Sequence, residues 1–147
     1  MDRGVAVALT AVVGGAIALQ APINSNLGKS VGTFQAAFVS FAIGTLLLTV
    51  IAALSKGGLG TVGHARDVAW YYLTGGILGA AYVTTVLVTV RSLGAGGVVA
   101  ATIAGQLTMS VVVDHFGLLG VVKEPITAVR VVGIALLAAG VFLIVRD

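Results

Sequence analysis

Long apolar runs alternate with short polar connections along the whole chain. Five runs are long enough to cross a membrane as helices, and their approximate bounds are 4–21, 36–54, 68–90, 92–113 and 127–145. A helix of about 20 residues spans the apolar core of a bilayer, which is about 30 Å thick. The pattern therefore predicts an all-α integral membrane bundle of five transmembrane helices, formed by a single domain over residues 1–147.

The composition supports lipid as the surrounding medium. Hydrophobic residues make up 59% of the chain and charged residues only 9%, whereas soluble domains carry about 25% charged residues. The net charge of +3 comes from dispersed residues and not from the clustered basic patch that nucleic acid binding requires. Because the chain has no cysteine, it has no disulfide framework and no thiolate metal site. We expect no metal, no cofactor and no nucleic acid partner.

Two amides near the end of the first span are candidate binding groups. Gln20 and Asn24 share one helix face if the helix continues through Pro22. A proline there would free a backbone carbonyl and bend the helix, and such broken helices in membranes line cavities. Alternatively, the helix ends near Gln20 and the stretch "PINSN" (22–26) forms a turn at the interface. The sequence leaves both interpretations open.

The fourth span carries polar residues at every fourth position, which are Thr102, Gln106, Ser110 and Asp114. This spacing makes one polar stripe along the helix. Because polar groups that face hydrocarbon stay unpaired, the stripe must face protein or water. It either bonds to neighbouring helices or lines a solvated path for a solute. Tyr82 would add a hydroxyl from the third span.

The acidic residues all lie at span ends or in connections; they are Asp2, Asp67, Asp114, Glu124 and Asp147. A transporter that exchanges protons on an acid at mid-membrane is therefore disfavoured. Asp114 with His115 is the remaining candidate for proton coupling, since imidazole gains and loses a proton in the physiological range. The alternative is that this pair only marks the point where a helix leaves the membrane.

No catalytic arrangement is found in the sequence, and we predict that the protein is not an enzyme. The two histidines, His64 and His115, are separated by more than one span. Neither a G-x-S-x-G turn nor an H-E-x-x-H or phosphate-binding loop motif occurs. Any transport would therefore be driven by an ion or solute gradient and not by a nucleotide.

Several stretches together resemble the YdcZ-like family of the drug/metabolite transporter (DMT) superfamily. They are "ALQAPINSNLGKSVG" (18–32), "FVSFAIGTLLL" (38–48), "WYYLTGGILGAAYV" (70–83), "AGQLTMSVVVDHFGLLG" (104–120) and "RVVGIALLAAGVFLIV" (130–145). They cover nearly the whole chain in the expected order. The segment from Gln106 to Gly117 is the most specific of them.

The resemblance implies a half-size, five-helix exporter in the inner membrane of a prokaryote. Larger members of the superfamily contain ten helices as two inverted five-helix repeats, so the implied partner is an antiparallel second copy or a sister five-span protein. The cations agree with dual topology independently of the resemblance. Five lie on the N-terminal side (Arg3, Lys56, Arg66, Lys123, Arg130) and three on the other (Lys29, Arg91, Arg146), which is a weak bias for orientation.

These observations predict a transporter of a small polar metabolite or drug that works as a dimer by alternating access. The expected substrate-binding residues are Gln20, Asn24, Tyr82, Gln106 and Ser110, with Asp114 and His115 as the candidates for proton coupling. A second hypothesis comes from a different class of protein. The chain would be a non-transporting membrane subunit that regulates or stabilises another membrane protein, and its polar stripe would only hold helices together.

Overall fold

The computed structural model describes residues 2–146, and every regular element among them is helical. The four α-helices are α1 (Arg3–Val31), α2 (Thr33–Leu54), α3 (Gly75–Phe116) and α4 (Ala128–Val145). Short 3-10 helices cover Gly58–Asp67, Trp70–Thr74 and Leu118–Gly120. The predicted all-α fold is confirmed.

Four helical segments among the described residues are long and apolar enough to cross a membrane. One of them runs for 47 residues from Trp70 to Phe116, which is about 70 Å of helix and more than twice the thickness of the apolar core. Its backbone leaves the helical conformation at Gly94, where φ is 66° and ψ is 170°. This segment therefore supplies two helices, so residues 2–146 contain five long helices.

The break at Gly94 depends on glycine, and we expect Gly94→Ala to destabilise the protein by about 1–3 kcal/mol. The combination of φ and ψ at this position is essentially restricted to glycine. A Cβ atom at Gly94 would meet no other atom within 4 Å, so backbone strain is the whole cost. Gly96→Ala is the matched control, because Gly96 is helical and has equally open surroundings. Thermal unfolding in detergent measures the difference, and equal stability of the two variants would contradict the strain.

α1 and α2 form a hairpin whose connection is the single residue Gly32. Its φ of 97° suits glycine, and its N–H donates to the carbonyl oxygen of Gly28 at 3.0 Å. α1 passes through Pro22 without ending, so the interpretation of residues 22–26 as an interfacial turn is wrong. The 29 residues of α1 measure about 43 Å, which is the thickness of a bilayer including its headgroup regions.

The structure divides into two compact units, one up to Arg91 and the other from Ser92 onward. In the first unit, a buried apolar cluster joins α2 to the N-terminal part of α3, with Leu27 of α1 packed against it; its members are Ala36, Ala37, Val83 and Leu87. Gly28 and Ala36 approach closely, since a Cβ at Gly28 would lie 3.7 Å from that of Ala36. Small residues at this contact let the two helix backbones pack tightly.

Candidate functional site

The amide of Asn24 is buried where α1 packs against α2. Its Nδ2 donates to Oγ of Ser40 at 3.1 Å, and only 5% of Asn24 is exposed. A polar group removed from water needs such a partner, because an unpaired amide is costly in apolar surroundings. The structure thus places Asn24 as a link between two helices, with an amide that is held in one orientation.

Gln20 lies one turn before Asn24 on the same continuous helix, but its side chain is exposed. Tyr82, on the N-terminal part of α3, is 37% exposed and precedes the buried Val83. Within the described residues, the side chains of Gln20 and Tyr82 form no hydrogen bond with one another or with Asn24. Gln20 and Tyr82 therefore keep their polar groups available for a ligand or a partner chain.

In the second unit, two residues of the polar stripe on α3, Ser110 and Gln106, differ in whether their side chains form a hydrogen bond within the helix. The hydroxyl of Ser110 donates to the carbonyl oxygen of Leu107 at 3.0 Å, within its own helix. Thr108, a neighbouring residue outside the stripe, bonds to Ala104 in the same way at 2.8 Å. Gln106 is exposed, and its amide is too long to close such a bond on its own turn in the manner of a hydroxyl. Within the described residues, the amide of Gln106 is therefore exposed and forms no hydrogen bond within its own helix.

A charged cluster of Asp114, Glu124 and Arg130 joins the end of α3 to the start of α4. Nη1 of Arg130 lies 3.5 Å from Oδ2 of Asp114, and Nη2 donates to the carboxylate of Glu124. The backbone N–H of Glu124 also donates to the carbonyl oxygen of Asp114 at 2.9 Å. The carboxylate of Asp114 is therefore paired with a guanidinium.

The sequence prediction did not include Glu124 and Arg130 in this cluster. A signal was present, because Asp114 and Arg130 flank the same connection and Glu124 lies inside it. Side chains at the two ends of one short connection leave the membrane on the same side, and opposite charges there are expected to pair. Hydropathy alone indicates only that Arg130 is a cation near the membrane surface, and it does not indicate a partner for that cation.

His115 also contacts the connection between α3 and α4. Its Nδ1 accepts a hydrogen bond from the backbone N–H of Ile126 at 3.2 Å, and its ring packs edge-on against Phe116 with centroids 4.8 Å apart. An imidazole nitrogen that accepts a hydrogen bond carries no proton, so the neutral ring has its hydrogen on Nε2. Among residues 2–146, no group of three His, Asp or Glu side chains is arranged to hold a metal ion.

The long apolar helices define an α-helical membrane protein. The chain belongs to the YdcZ family of the DMT class, because a family model described as "Putative inner membrane exporter, YdcZ" matches residues 5–143. The protein is thus an integral inner-membrane protein of a transporter family and not of an enzyme family. Neither the curated proteins nor the solved structures that were compared with the chain include a match.

Proposed function

We propose that the protein exports a small polar or zwitterionic organic solute, a metabolite or a drug, across the inner membrane. The observation that carries this proposal is that uncharged amides, Gln20, Asn24 and Gln106, lie within the helices, while the described acids lie at helix ends or in connections. An amide both donates and accepts hydrogen bonds. A site built from amides suits a neutral or zwitterionic solute better than a bare cation.

The substrate-binding residues in this proposal are Gln20, Asn24, Tyr82, Gln106 and Ser110. The exposed amides of Gln20, in the first unit, and of Gln106, in the second, are each available to bind a solute. Asn24 acts through its fixed position against Ser40, and Ser110 offers only the lone pairs of its oxygen. The five-helix chain pairs with an antiparallel copy or a sister protein to complete the path. Alternating access is driven by an ion or solute gradient. In this proposal, Asp114 and His115 couple proton movement to solute transport.

Replacing Gln106 tests whether this amide binds the solute. A thermal-shift screen of the purified protein against metabolites and drugs first identifies a ligand, since a ligand that binds the folded state raises its apparent stability. We expect Gln106→Ala to weaken that ligand by about tenfold, because one hydrogen bond to the solute is lost. Thr108→Val is the matched control, since the hydroxyl of Thr108 is already bonded within its own helix.

The same two variants distinguish the transporter from the non-transporting subunit. Size-exclusion chromatography of Gln106→Ala is expected to show the dimer of the wild-type protein, with only ligand binding reduced. Loss of the dimer in Gln106→Ala but not in Thr108→Val would instead support a subunit whose polar stripe holds helices together. Unchanged ligand affinity in an intact dimer would remove Gln106 from the site.

A further inference from the structure

The segment 121–127, between α3 and α4, has no regular secondary structure and is tied to the end of α3 by its backbone. The N–H of Glu124 donates to the backbone carbonyl of Asp114 at 2.9 Å. The N–H of Ile126 donates to Nδ1 of His115 at 3.2 Å. The first bond has a peptide acceptor that does not titrate, whereas the second has an acceptor that a proton can occupy.

We propose that His115 is a proton-sensing positioning residue whose neutral imidazole holds Ile126 in place and whose protonation releases it. Nδ1 has a single lone pair, which either accepts the N–H of Ile126 or binds a proton. After protonation, two N–H donors face each other across the same short distance. The hydrogen bond is then lost, and no covalent bond other than the new N–H is made or broken.

The charged groups on the surrounding elements leave this role to His115. Asp114, Glu124 and Arg130 are engaged with one another in the charged cluster. The remaining charged residue of the connection, Lys123, packs its Cβ against Gly117, 3.3 Å from where a Cβ of that glycine would lie. The cluster and the bond from Glu124 to Asp114 do not depend on the imidazole, so protonation frees the segment locally around Ile126.

This release would act on the start of α4. Ile126 precedes Thr127, whose side chain caps α4 by accepting a hydrogen bond from the N–H of Arg130 at 3.3 Å. The contact is therefore closed while the imidazole is neutral, and it opens when the imidazole gains a proton. The role of this contact as a link between protons and transport rests on the proposed function. The hydrogen bond between Ile126 and His115 does not depend on that function.

Amide hydrogen exchange in the full-length protein tests the proposal without any substrate. We expect the protection of the Ile126 amide, relative to its intrinsic exchange rate, to fall about three- to tenfold from about pH 8 to about pH 5. The Glu124 amide is the internal control, because its acceptor is a peptide carbonyl, and its protection should stay constant. His115→Asn keeps an acceptor that does not titrate, so Ile126 should remain protected at both pH values; in His115→Ala it should be unprotected at both.

Two results would overturn the proposal. One is an equal response of the Ile126 and Glu124 amides to pH in the wild-type protein. The other is a wild-type pH response of Ile126 in His115→Asn. If exchange behaves as expected and the protein moves no solute, the contact stands and the proposed function fails. If solute flux responds to pH identically in the wild type and His115→Asn, the contact is not the link between protons and transport.

Discussion

Asn24→Asp is expected to lower the free energy of unfolding by about 3 kcal/mol and to reduce the yield of folded protein sharply. Asn24 is 5% exposed, and its amide donates to Ser40. Aspartate in the same place cannot donate that bond and brings a charge into apolar surroundings. A buried carboxylate is costly without a cation beside it, and Ser40 offers only a hydroxyl.

Asn26→Asp is the matched control for this substitution. Asn26 lies two residues further along α1, is exposed, and accepts a hydrogen bond from Nζ of Lys29 at 2.9 Å. The same chemical change there creates an exposed ion pair, which contributes at most about 1 kcal/mol. Thermal unfolding in detergent and the yield of monodisperse protein measure both variants. Equal losses at the two positions would contradict the buried position of Asn24.

Pro22→Ala is expected to raise the free energy of unfolding by about 1–3 kcal/mol while solute transport falls. Pro22 lies inside α1 and has no N–H, so the carbonyl of Ala18 lacks its helical donor. Alanine restores the missing N–H donor. The hydrogen bond gained stabilises the folded protein by more than the about 0.4–1 kcal/mol that is lost because the unfolded chain becomes less restricted. Transport falls because a proline lets a membrane helix deform, here between Gln20 and Asn24.

Pro125→Ala supplies the comparison, since Pro125 is the other proline of the chain and lies in the non-helical segment 121–127. No helical hydrogen bond is gained in that segment. The free energy of unfolding should therefore change less in Pro125→Ala than in Pro22→Ala. Thermal unfolding of both variants in the same detergent measures the difference. A Pro22→Ala protein less stable than the wild type would show that the native helix requires the proline.

The number of helices follows from the sequence more readily than their ends. α4 covers 128–145, almost the range of the last apolar run, because an uninterrupted hydrophobic stretch has a clear boundary on both sides. α1 continues ten residues beyond the predicted end at position 21. Its last turns bury one face, formed by Ala21, Asn24, Ser25 and Gly28, and hydropathy averaged over a window does not distinguish such a mixed helix from a loop.

The break within α3 illustrates a second limit of the sequence. The pattern placed the turn at Arg91, whereas the backbone departs from helical geometry at Gly94. Gly94, Gly96 and Gly97 are the same residue type and lie close together in the chain. Of these three, only Gly94 has a positive φ, and the helix is interrupted there. Local sequence does not decide which glycine adopts that conformation, since packing on both sides contributes to the choice.

For the candidate site, the sequence identified the polar residues but not their partners. A hydroxyl in a membrane helix commonly bonds to its own backbone, as Thr49 does with Thr45. Ser40 instead accepts the amide of Asn24 from the neighbouring helix. Likewise, the interaction of Asp114 with Arg130 depends on how the connection folds back after Gly117. Such contacts are tertiary and are not encoded in the spacing along one helix.

Solute counterflow in lipid vesicles that contain the purified protein tests directly whether the protein is an alternating-access transporter. Vesicles loaded with a ligand from the thermal-shift screen are diluted into the same ligand carrying a radioactive label. We expect the label to accumulate inside transiently and the rate of uptake to saturate with ligand concentration. Gln106→Ala should slow this uptake, whereas Thr108→Val should not. Absence of accumulation with a ligand that binds, or a flux that increases with concentration without saturating, would contradict an alternating-access transporter.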